Sequence, residues 1–594
     1  MTCMKERNWF KWGAGALLVA ALALLILKDD VLAKMYALSL WPDMTFYLTS
    51  GLQPGVLLPV LGSVLTQLCP LPVMAVVLIL GSLAALMLLS WKVAGRNLRA
   101  LLPALLVFCF LCGLDYAVYA MRAQGLLFSQ TLGLCFALLL ILGWQKLENK
   151  AWKRVYTGIL GLLACPLIGV YGIVALLGIC LEAFAEEKKP WDYILRLVVF
   201  GGMMPYVWAA GIFTHIDARY TYFAGLPYMD FVDHGVRFVP LVLALLSVAV
   251  LPALRGWKPR VRAWQPVAAV LVAGACLWGF TFWDTNFHLE LAMERAAEKH
   301  DWEKVLKCAR RSEHPTRVMV LYRNVALMYR GELCDKMFTY PNESIPINTP
   351  SDFSQTEVCG VPVFFYNGLI NFSARWSWEM SMMFQRTLER YKYLAKVALF
   401  TGQEKPALVN KYLDVIARSP FEKKWVRKYR SYLEDPSLLA KDDEYRMYLL
   451  LNDYEENRHI SSAVVENTLL SHFAEQPDPH GLMLQLALAA AMTRKDIETF
   501  WYYYDKLLKE GGKIPKHVGE AAIFFAYIER NQQEIDAVAQ DLGGTNSLTV
   551  QKFIQFSGEA SRASSEEAVA GAFKERYGDT YWYYVTFVKS LTTD

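Results

Sequence analysis

The sequence lacks the short motifs that identify the common enzyme classes. It has no phosphate-binding P-loop, no Gly-x-Ser-x-Gly nucleophile turn and no His-Glu-x-x-His zinc motif. Its 11 cysteines are not grouped with histidines as in a metal site. A formal net charge of +4 over 594 residues gives no basis for nucleic-acid binding. We therefore expect no metal, no cofactor and no nucleic-acid partner.

Apolar and charged residues divide the chain into two unlike halves. Leu, Val, Ala and Gly dominate up to residue 283, whereas Lys, Arg, Glu and Asp at helical spacing dominate from residue 284 onward. This change predicts an all-α protein. Residues 1–283 would form a polytopic transmembrane helix bundle, and residues 284–594 a soluble helical domain.

The first half contains apolar runs long enough to cross a membrane as helices. We predict about nine spans, near residues 12–27, 71–91, 100–120, 126–144, 155–171, 172–184, 192–214, 237–254 and 264–283. The stretch 155–184 is compatible either with one long kinked helix or with two short ones.

Basic residues in the short connections indicate which side of the membrane each loop occupies. Clusters of Lys and Arg near residues 5–11, 92–99, 146–154, 188–196 and 255–262 are typical of cytoplasmic loops. All five lie on one side only if 155–184 crosses twice. The pattern therefore predicts an inner-membrane protein with a cytoplasmic N-terminus and a periplasmic C-terminal domain. The charged sequence "LILKDDVLAK" after the first span favours an uncleaved anchor over a cleaved signal peptide, which would leave eight spans.

The predicted outer loop at residues 28–70 begins with an amphipathic segment and continues with an apolar stretch interrupted by Gly and Pro. We expect the apolar side of the first segment to face lipid, and the interrupted stretch to pack over the bundle because irregular backbone needs cover at membrane depth. The loop is then either a cap that seals the bundle or the roof of a site. For the second case the candidate catalytic carboxylates are Asp29, Asp30 and Asp43, with Asp115 near the outer end of the third span.

The second predicted outer loop, residues 214–238, mixes aromatic with charged side chains. One interpretation is an aromatic belt at the membrane boundary. The other pairs this loop with the first to frame a cleft, in which Arg219, Arg237 and His215 would bind a lipid phosphate through charged hydrogen bonds.

Helical periodicity in residues 284–594 predicts stacked helical hairpins. The segment 398–420 resembles part of a tetratricopeptide unit in its small and bulky positions, although no clean 34-residue period recurs. We therefore expect an irregular helical-repeat domain that binds a protein or peptide. Cys334 and Cys359 lie in this half, and a periplasmic location would permit a disulfide between them.

The whole arrangement resembles an uncharacterised family of multi-pass inner-membrane proteins from Bacteroidales that carry a helical outer tail. The resemblance rests on Pro54-Gly55, on Leu65-Thr66-Gln67 and on the stretches "DWEKVL", "YRNVALMYRGELCDKMFTYPN" and "ALFTGQEKPALVNKYLDVIARSPFEKKW". Val56 and Leu68 depart from the expected pattern. This family implies no particular activity.

A second resemblance, carried by Asp29 and Asp30 directly after the first span, is to C-type glycosyltransferases. It implies a polyprenyl-phosphate-linked glycan donor, a carboxylate acting as general base and basic groups on the departing lipid phosphate.

Three functions remain open. The first is a cell-envelope protein that presents a helical-repeat interaction domain outside the cytoplasm and contacts membrane lipids. The second is a glycosyltransferase-like enzyme. The third is a transporter, which the interrupted segment 155–184 with Pro166 and Gly172 suggests.

Overall fold

We analysed a computed structural model of the chain. It describes residues 2–44, 53–95, 97–113, 125–187, 190–227, 236–255, 264–342, 355–402, 406–451, 481–529, 532–562 and 566–588. Within these ranges the regular elements are all helices and no strand occurs, which agrees with the predicted fold class.

The chain forms two compact units that are not continuous in sequence. The first unit comprises residues 1–283 together with 381–391 and 412–427, and the second comprises 284–380, 392–411 and 428–594. The chain therefore passes between the units five times, at 283/284, 380/381, 391/392, 411/412 and 427/428. The sequence analysis did not predict that two later segments belong to the first unit.

The first unit contains thirteen helices that the structure describes before Trp283. They are α1 (Thr2–Ile26), α2 (Asp29–Leu38), α3 (Leu57–Gln67), α4 (Pro72–Val93), α5 (Leu102–Gly113), α6 (Leu126–Gln145), α7 (Lys150–Ile168), α8 (Val170–Glu187), α9 (Pro190–Arg196), α10 (Met204–Gly211), α11 (Ala218–Tyr222), α12 (Val239–Val250) and α13 (Trp264–Phe280). A π-helical turn, Leu197–Met203, joins α9 to α10.

Helices lie in each of the nine regions where spans were predicted, but only some are long and apolar enough to cross a membrane. Four meet both conditions: Asn8–Ile26, Pro72–Val93, Leu126–Gln145 and Trp191–Gly211. A fifth is added if the bent pair Val267–Phe280 and Thr285–Ala297 counts as one span. Several apolar helices are thus present, and the count of nine stays a prediction.

The ambiguous stretch 155–184 consists of two helices. Gly169, with φ +63°, separates α7 from α8, and these helices pack against each other, with the Gly172 backbone beside Ala164. Because a left-handed residue stops an α-helix, the chain reverses at Gly169 and does not continue as one kinked helix.

Several helix ends of the first unit meet around one carboxylate. Gln145 at the end of α6 donates to both Glu182 oxygens at 2.9 and 3.0 Å and lies 3.4 Å from the Val93 carbonyl of α4. Arg255, just after α12, approaches Glu182 at 3.7 Å. The predicted cytoplasmic connections that follow α4, α6 and α12 therefore begin at the same end of this unit.

Other helix ends meet around the C-terminus of α5. Lys28, just after α1, donates from Nζ to the Cys112 carbonyl at 2.8 Å. The Phe282 amide, just after α13, approaches the same carbonyl at 3.3 Å. A cation at the C-terminal carbonyls of a helix is stabilised by the helix dipole.

The interrupted stretch of the first outer loop is more regular than predicted, because α3 (Leu57–Gln67) is a helix. Pro59 lies in its first turn, where a missing N–H removes no helical hydrogen bond. Gly62 allows α3 to approach α6, since a Cβ there would lie 2.2 Å from the Gly125 carbonyl oxygen. The stretch does pack on the bundle, as expected, but as a helix.

The amphipathic helix α2 is present, but protein covers its apolar side instead of lipid. Val31, Leu32, Met35 and Leu38 are each no more than 5% exposed. Helices α3 and α4 of the same unit pack against α2. The prediction that this side faces lipid was wrong, because sequence periodicity identifies an apolar side without showing what covers it.

The second unit and the two returning segments contain the remaining helices. They are α14 (Thr285–Ala297), α15 (Trp302–Ala309), α16 (Arg317–Tyr329), α17 (Leu333–Lys336), α18 (Gln355–Tyr366), α19 (Ile370–Met383), α20 (Leu388–Phe400), α21 (Pro406–Ala417), α22 (Lys423–Glu434), α23 (Pro436–Leu439), α24 (Asp443–Leu451), α25 (Leu482–Arg494), α26 (Ile497–Lys509), α27 (Lys516–Glu529), α28 (Gln532–Asp541), α29 (Leu548–Ala560), α30 (Glu566–Tyr577) and α31 (Tyr581–Phe587).

Neighbouring helices of the second unit pack in pairs, including α14 with α15, α25 with α26 and α27 with α28. Side-chain capping of the helix N-termini, as by Asp301 on the Lys304 amide at 3.1 Å, sets where several of them begin. The pairing suits an irregular helical array, and the tetratricopeptide likeness stays a prediction.

Cys334 and Cys359 are both buried, and no disulfide joins them in the described part of the chain. Burial raises the pKa of both thiols above its ordinary value. These cysteines therefore act as small apolar side chains of the second unit's core.

Candidate functional site

The most elaborate polar contact of the first unit lies on α2, where two turns of the later chain pack. One turn joins α19 to α20 and falls in residues 381–391, and the other joins α21 to α22 and falls in residues 412–427. We call α2 with residues 39–44 and these two segments the α2 junction. All of it belongs to the first unit.

A largely buried ion pair joins α2 to the first of these turns. Lys34 donates from Nζ to both carboxylate oxygens of Glu389, at 2.8 and 3.0 Å. The side chains are only 15% and 9% exposed. Because both side chains are largely removed from water, their two hydrogen bonds offset part of the cost of desolvation, and removing one partner leaves the other buried charge without these bonds.

A buried tyrosine joins α2 to the second turn. The Tyr36 hydroxyl donates to Glu422 Oε1 at 3.1 Å. Burial, reinforced by the neighbouring Glu422 charge, raises the pKa of Tyr36 above its ordinary value. The phenol therefore stays protonated and acts as a hydrogen-bond donor at physiological pH.

Backbone groups at the end of α2 are satisfied by side chains from elsewhere in the unit. Gln67 donates from Nε2 to the Tyr36 and Ser39 carbonyls at 3.1 and 3.0 Å. Gln385 donates to the Leu38 carbonyl at 3.0 Å. These bonds replace the partners that helix-terminal carbonyls lack, so both the opening loop and the later turn hold the end of α2.

Two buried polar atoms at this place have no hydrogen-bond partner in the described structure, namely Ser39 Oγ and Gln67 Oε1. The Gln67 amide orientation is fixed, because exchanging its N and O would place an oxygen against two carbonyls. Chemically, the junction pairs charges and caps backbone groups, and such contacts fix the position of the segments.

The two predicted outer loops approach each other at a crossing of three glycines. The Gly55 amide donates to the Pro166 carbonyl, and the Val170 amide donates to the Ala224 carbonyl, both at 2.8 Å. A Cβ on Gly169 would lie 1.9 Å from the Ala224 oxygen, and one on Gly55 would lie 3.1 Å from the Gly225 nitrogen. The loops therefore meet through backbone at this crossing.

The carboxylates proposed as catalytic occupy different settings. Asp29 is exposed and Asp30 is half-buried in the first turn of α2, where the positive end of the helix dipole favours acidic side chains. Asp43 forms a 2.6 Å ion pair with Arg418 of the second turn. Asp115 lies outside the described residues.

The residues proposed to bind a lipid phosphate lie on two separate elements. His215 is exposed on the segment before α11. Arg219 forms an exposed 2.8 Å ion pair with Asp217, and hydrogen bonds from Arg219 lower the pKa of Asp217 to about 2. Arg237 lies over the Phe282 ring at 5.3 Å and approaches the Gly113 carbonyl at 3.4 Å.

The sequence analysis missed the residues that form the α2 junction, namely Lys34 as a partner, Gln67, Gln385, Glu389, Arg418 and Glu422. Their separation explains why: Lys34 and Glu389 are 355 positions apart in the chain. The available signal was a lysine among the apolar residues that follow the acidic first turn of α2, since a buried cation requires a partner.

These features define an all-helical protein with several apolar helices and a polar junction between distant parts of the chain. A sequence family covers residues 9–588, and its description is a family of unknown function (DUF6057). The chain belongs to this family. No curated protein and no solved structure matches the chain. The likeness to an uncharacterised family thus holds, whereas the Bacteroidales origin and the glycosyltransferase likeness gain no support.

Proposed function

We propose that the protein is a membrane-anchored scaffold of the cell envelope. In this proposal the apolar helices of the first unit anchor the chain, and the helical second unit binds a protein or peptide outside the cytoplasm. Four helices that are long and apolar enough to cross a membrane support the anchoring. The shared end of α4, α6 and α12, from which basic connections continue, supports a cytoplasmic side there.

The α2 junction is the observation that carries the proposal. Lys34–Glu389 and Tyr36–Glu422 tie two turns of the later chain to a helix that begins three residues after α1 ends. A scaffold needs segments of its chain held in fixed positions, and these bonds hold the two later segments of the first unit on α2. An acid–base catalyst instead needs a carboxylate that is able to exchange protons with a substrate, whereas Asp43 is held by Arg418.

Substitution of the first-turn carboxylates separates the scaffold from a glycosyltransferase. In a strain that lacks the gene, the variants Asp29→Asn and Asp30→Asn, alone and together, should restore the wild-type phenotype at normal protein abundance. The matched control is Asp192→Asn, which removes an exposed carboxylate of the first unit that is not a catalytic candidate. Loss of complementation by abundant Asp29→Asn protein, with Asp192→Asn active, would favour the enzyme and contradict the scaffold.

The partner-binding role requires a test that leaves the α2 junction intact, because truncation after residue 283 would also remove the turns that pack on α2. A photo-crosslinking amino acid at Leu548, which is 74% exposed, or at Tyr527, which is 47% exposed, probes the second unit in the full chain. We expect one discrete protein adduct in cells. Deletion of the gene that encodes the crosslinked partner should reproduce the phenotype of the strain that lacks this protein. Absence of adducts from every exposed position of this unit would contradict the proposal.

Paired reporter fusions after Trp283 test the orientation. Alkaline phosphatase should be active there, because it requires the periplasm, and green fluorescent protein should be dark. The reverse result would place the second unit in the cytoplasm and remove the envelope role.

A further inference from the structure

One of the two later segments of the α2 junction, residues 412–427, carries a cationic surface, and both segments expose apolar side chains. We call Arg418, Lys423, Lys424 and Arg427 the basic patch; all four lie in residues 412–427 of the first unit and are exposed. Lys423 and Lys424 form no ion pair among the described residues. Asp414 is the exposed carboxylate of this segment, and Glu422 is buried against Tyr36.

Helix geometry concentrates three of these charges on one side of α22. Lys423 and Arg427 are four positions apart, and Lys424 and Arg427 are three apart, so their side chains share a face. Val426 and Tyr429, both 3% exposed, occupy the opposite face and pack into protein. The helix is therefore held by its apolar side and presents its cations outward.

Large apolar side chains are also exposed on the α2 junction. Met44 is 54% exposed and follows Asp43, which pairs with Arg418. Phe421 is 49% exposed and lies between Arg418 and Lys423 in the sequence. In the other segment, Met382 near the end of α19 is 84% exposed. Such exposure of methionine and phenylalanine is unfavourable in water but favourable at the boundary of a membrane.

Chain continuity places the junction beside the apolar helices. The candidate span Asn8–Ile26 ends three residues before α2 begins, and α2, with ten residues, is about 15 Å long at 1.5 Å per residue. Groups packed on α2 therefore lie close to the end of α1.

We propose that the basic patch and the side chains of Met44, Met382 and Phe421 bind the surface of an anionic phospholipid membrane. The cations contact headgroup phosphates, and the three apolar side chains enter the boundary between headgroups and acyl chains. This inference rests on the proposed membrane anchoring. It gives the two turns a second function besides their contact with α2, since they would hold this part of the chain to the bilayer.

Photo-crosslinking in nanodiscs tests the contact in the full-length protein. p-Benzoylphenylalanine replaces Phe421 or Met382, and the discs contain phosphatidylglycerol with phosphatidylethanolamine. Val77 on α4, which is 62% exposed, is the positive control, because it should contact lipid in any anchored form. Leu548, which is 74% exposed, is the negative control, because it should not contact lipid. We expect lipid adducts at 421, 382 and 77, and none at 548.

The charge dependence is tested by the triple variant Lys423→Gln, Lys424→Gln, Arg427→Gln. Lipid adducts at position 421 should fall by at least about fivefold, the factor that one cation near an anionic surface contributes. Replacing both lipids by phosphatidylcholine should have the same effect. The matched control, Lys304→Gln, Lys307→Gln and Lys509→Gln, removes three charges from the second unit and should leave the yield unchanged.

The outcomes distinguish this inference from the proposed function. Lipid adducts at 77 without adducts at 421 and 382 would overturn the inference and leave the anchoring intact. Protein adducts at 421 in place of lipid, or a yield independent of headgroup charge, would overturn it as well. Absence of lipid adducts at position 77 would instead contradict the anchoring itself.

Discussion

Lys34 and Glu389, 355 positions apart in the chain, form a charged hydrogen-bonded pair with two bonds of 2.8 and 3.0 Å. The pair is buried on both sides, to 15% and 9% side-chain exposure. A contact of this kind is worth little as net stability but is costly to break from one side. It thus specifies which later turn packs against α2.

A double-mutant cycle should show this asymmetry. Lys34→Met removes the cation that donates to both Glu389 oxygens and should lower the free energy of unfolding by about 3 kcal/mol. Lys34→Met with Glu389→Leu should recover most of this loss, because two apolar groups then replace two charges. The measurement is thermal unfolding of the detergent-solubilised chain, followed by the loss of monodisperse protein.

Asp43→Asn provides the reference for that cycle. Its ion pair with Arg418 is 42% and 46% exposed, and exposed pairs contribute about 0–1 kcal/mol. The variant should melt within a degree or two of the unsubstituted protein. A loss of stability as large as that of Lys34→Met would mean that burial of an ion pair does not control the free-energy cost of removing one partner.

Gly169→Ala should prevent the loop crossing from forming. The residue has φ +63°, and a Cβ would lie 1.9 Å from the Ala224 carbonyl oxygen, which is backbone and has no freedom to rotate away. We expect a loss of about 4 kcal/mol or more, which belongs to the severe class of substitutions, and little monodisperse protein in size-exclusion chromatography.

Gly158→Ala, within α7, is the matched control. A Cβ at Gly158 would meet nothing within 4 Å, and alanine is the better helix former by about 1 kcal/mol. This variant should be at least as stable as the unsubstituted chain. Equal damage from both substitutions would show that α7 tolerates no added methyl group, irrespective of the crossing.

Acid should weaken the second unit through Glu444. Burial acts to raise the pKa of Glu444, but Lys396, with its Nζ 2.8 Å away, and His300 outweigh it and lower the pKa from 4.5 to about 2. The carboxylate therefore binds a proton more weakly in the folded than in the unfolded chain. Its stabilisation, about 3 kcal/mol for the full shift, is present above pH 4.5 and is lost as the pH falls toward 2.

Thermal unfolding of the unsubstituted chain and of Glu444→Gln from pH 7 to pH 3 measures this contribution. Glu444→Gln should melt lower at pH 7, and the difference between the two proteins should shrink steadily below pH 4.5. A difference that stays constant with pH would show that the carboxylate charge is not the source of the stabilisation.

Alkylation should distinguish free thiols from a disulfide at Cys334 and Cys359. Both are buried, with pKa values raised by burial, and only the thiolate reacts readily. In the native chain neither should react with maleimide, and in denaturant without reductant both should react, as peptide mass spectrometry would show. Failure to react in denaturant until a reductant is added would demonstrate the bridge.

Local features of the fold were accessible from sequence because they depend on neighbouring residues. Apolar runs predicted where the helices of the first half lie. Charged residues at helical spacing predicted that the second half is helical. The separation of α7 from α8 remained ambiguous, since glycine and proline permit either a kink or a reversal. The left-handed conformation of Gly169, which decides it, depends on the contact with Ala224.

The candidate site was less accessible, because its residues come from places far apart in the chain. Asp29, Asp30 and Asp43 were named from their position after the first span, but their partners are unrelated to that position. Arg418 pairs with Asp43, and Glu422 accepts a hydrogen bond from Tyr36. Both contacts depend on which turns of the later chain reach α2.

The sequence by itself determined that this chain is helical, where its apolar helices lie and where charged helices begin, because helical period and hydropathy act over a few turns. Only the tertiary structure decided that two turns after residue 380 belong to the first unit and that protein covers the apolar side of α2. A buried charge must find an opposite charge, and three-dimensional packing alone selects which one it meets.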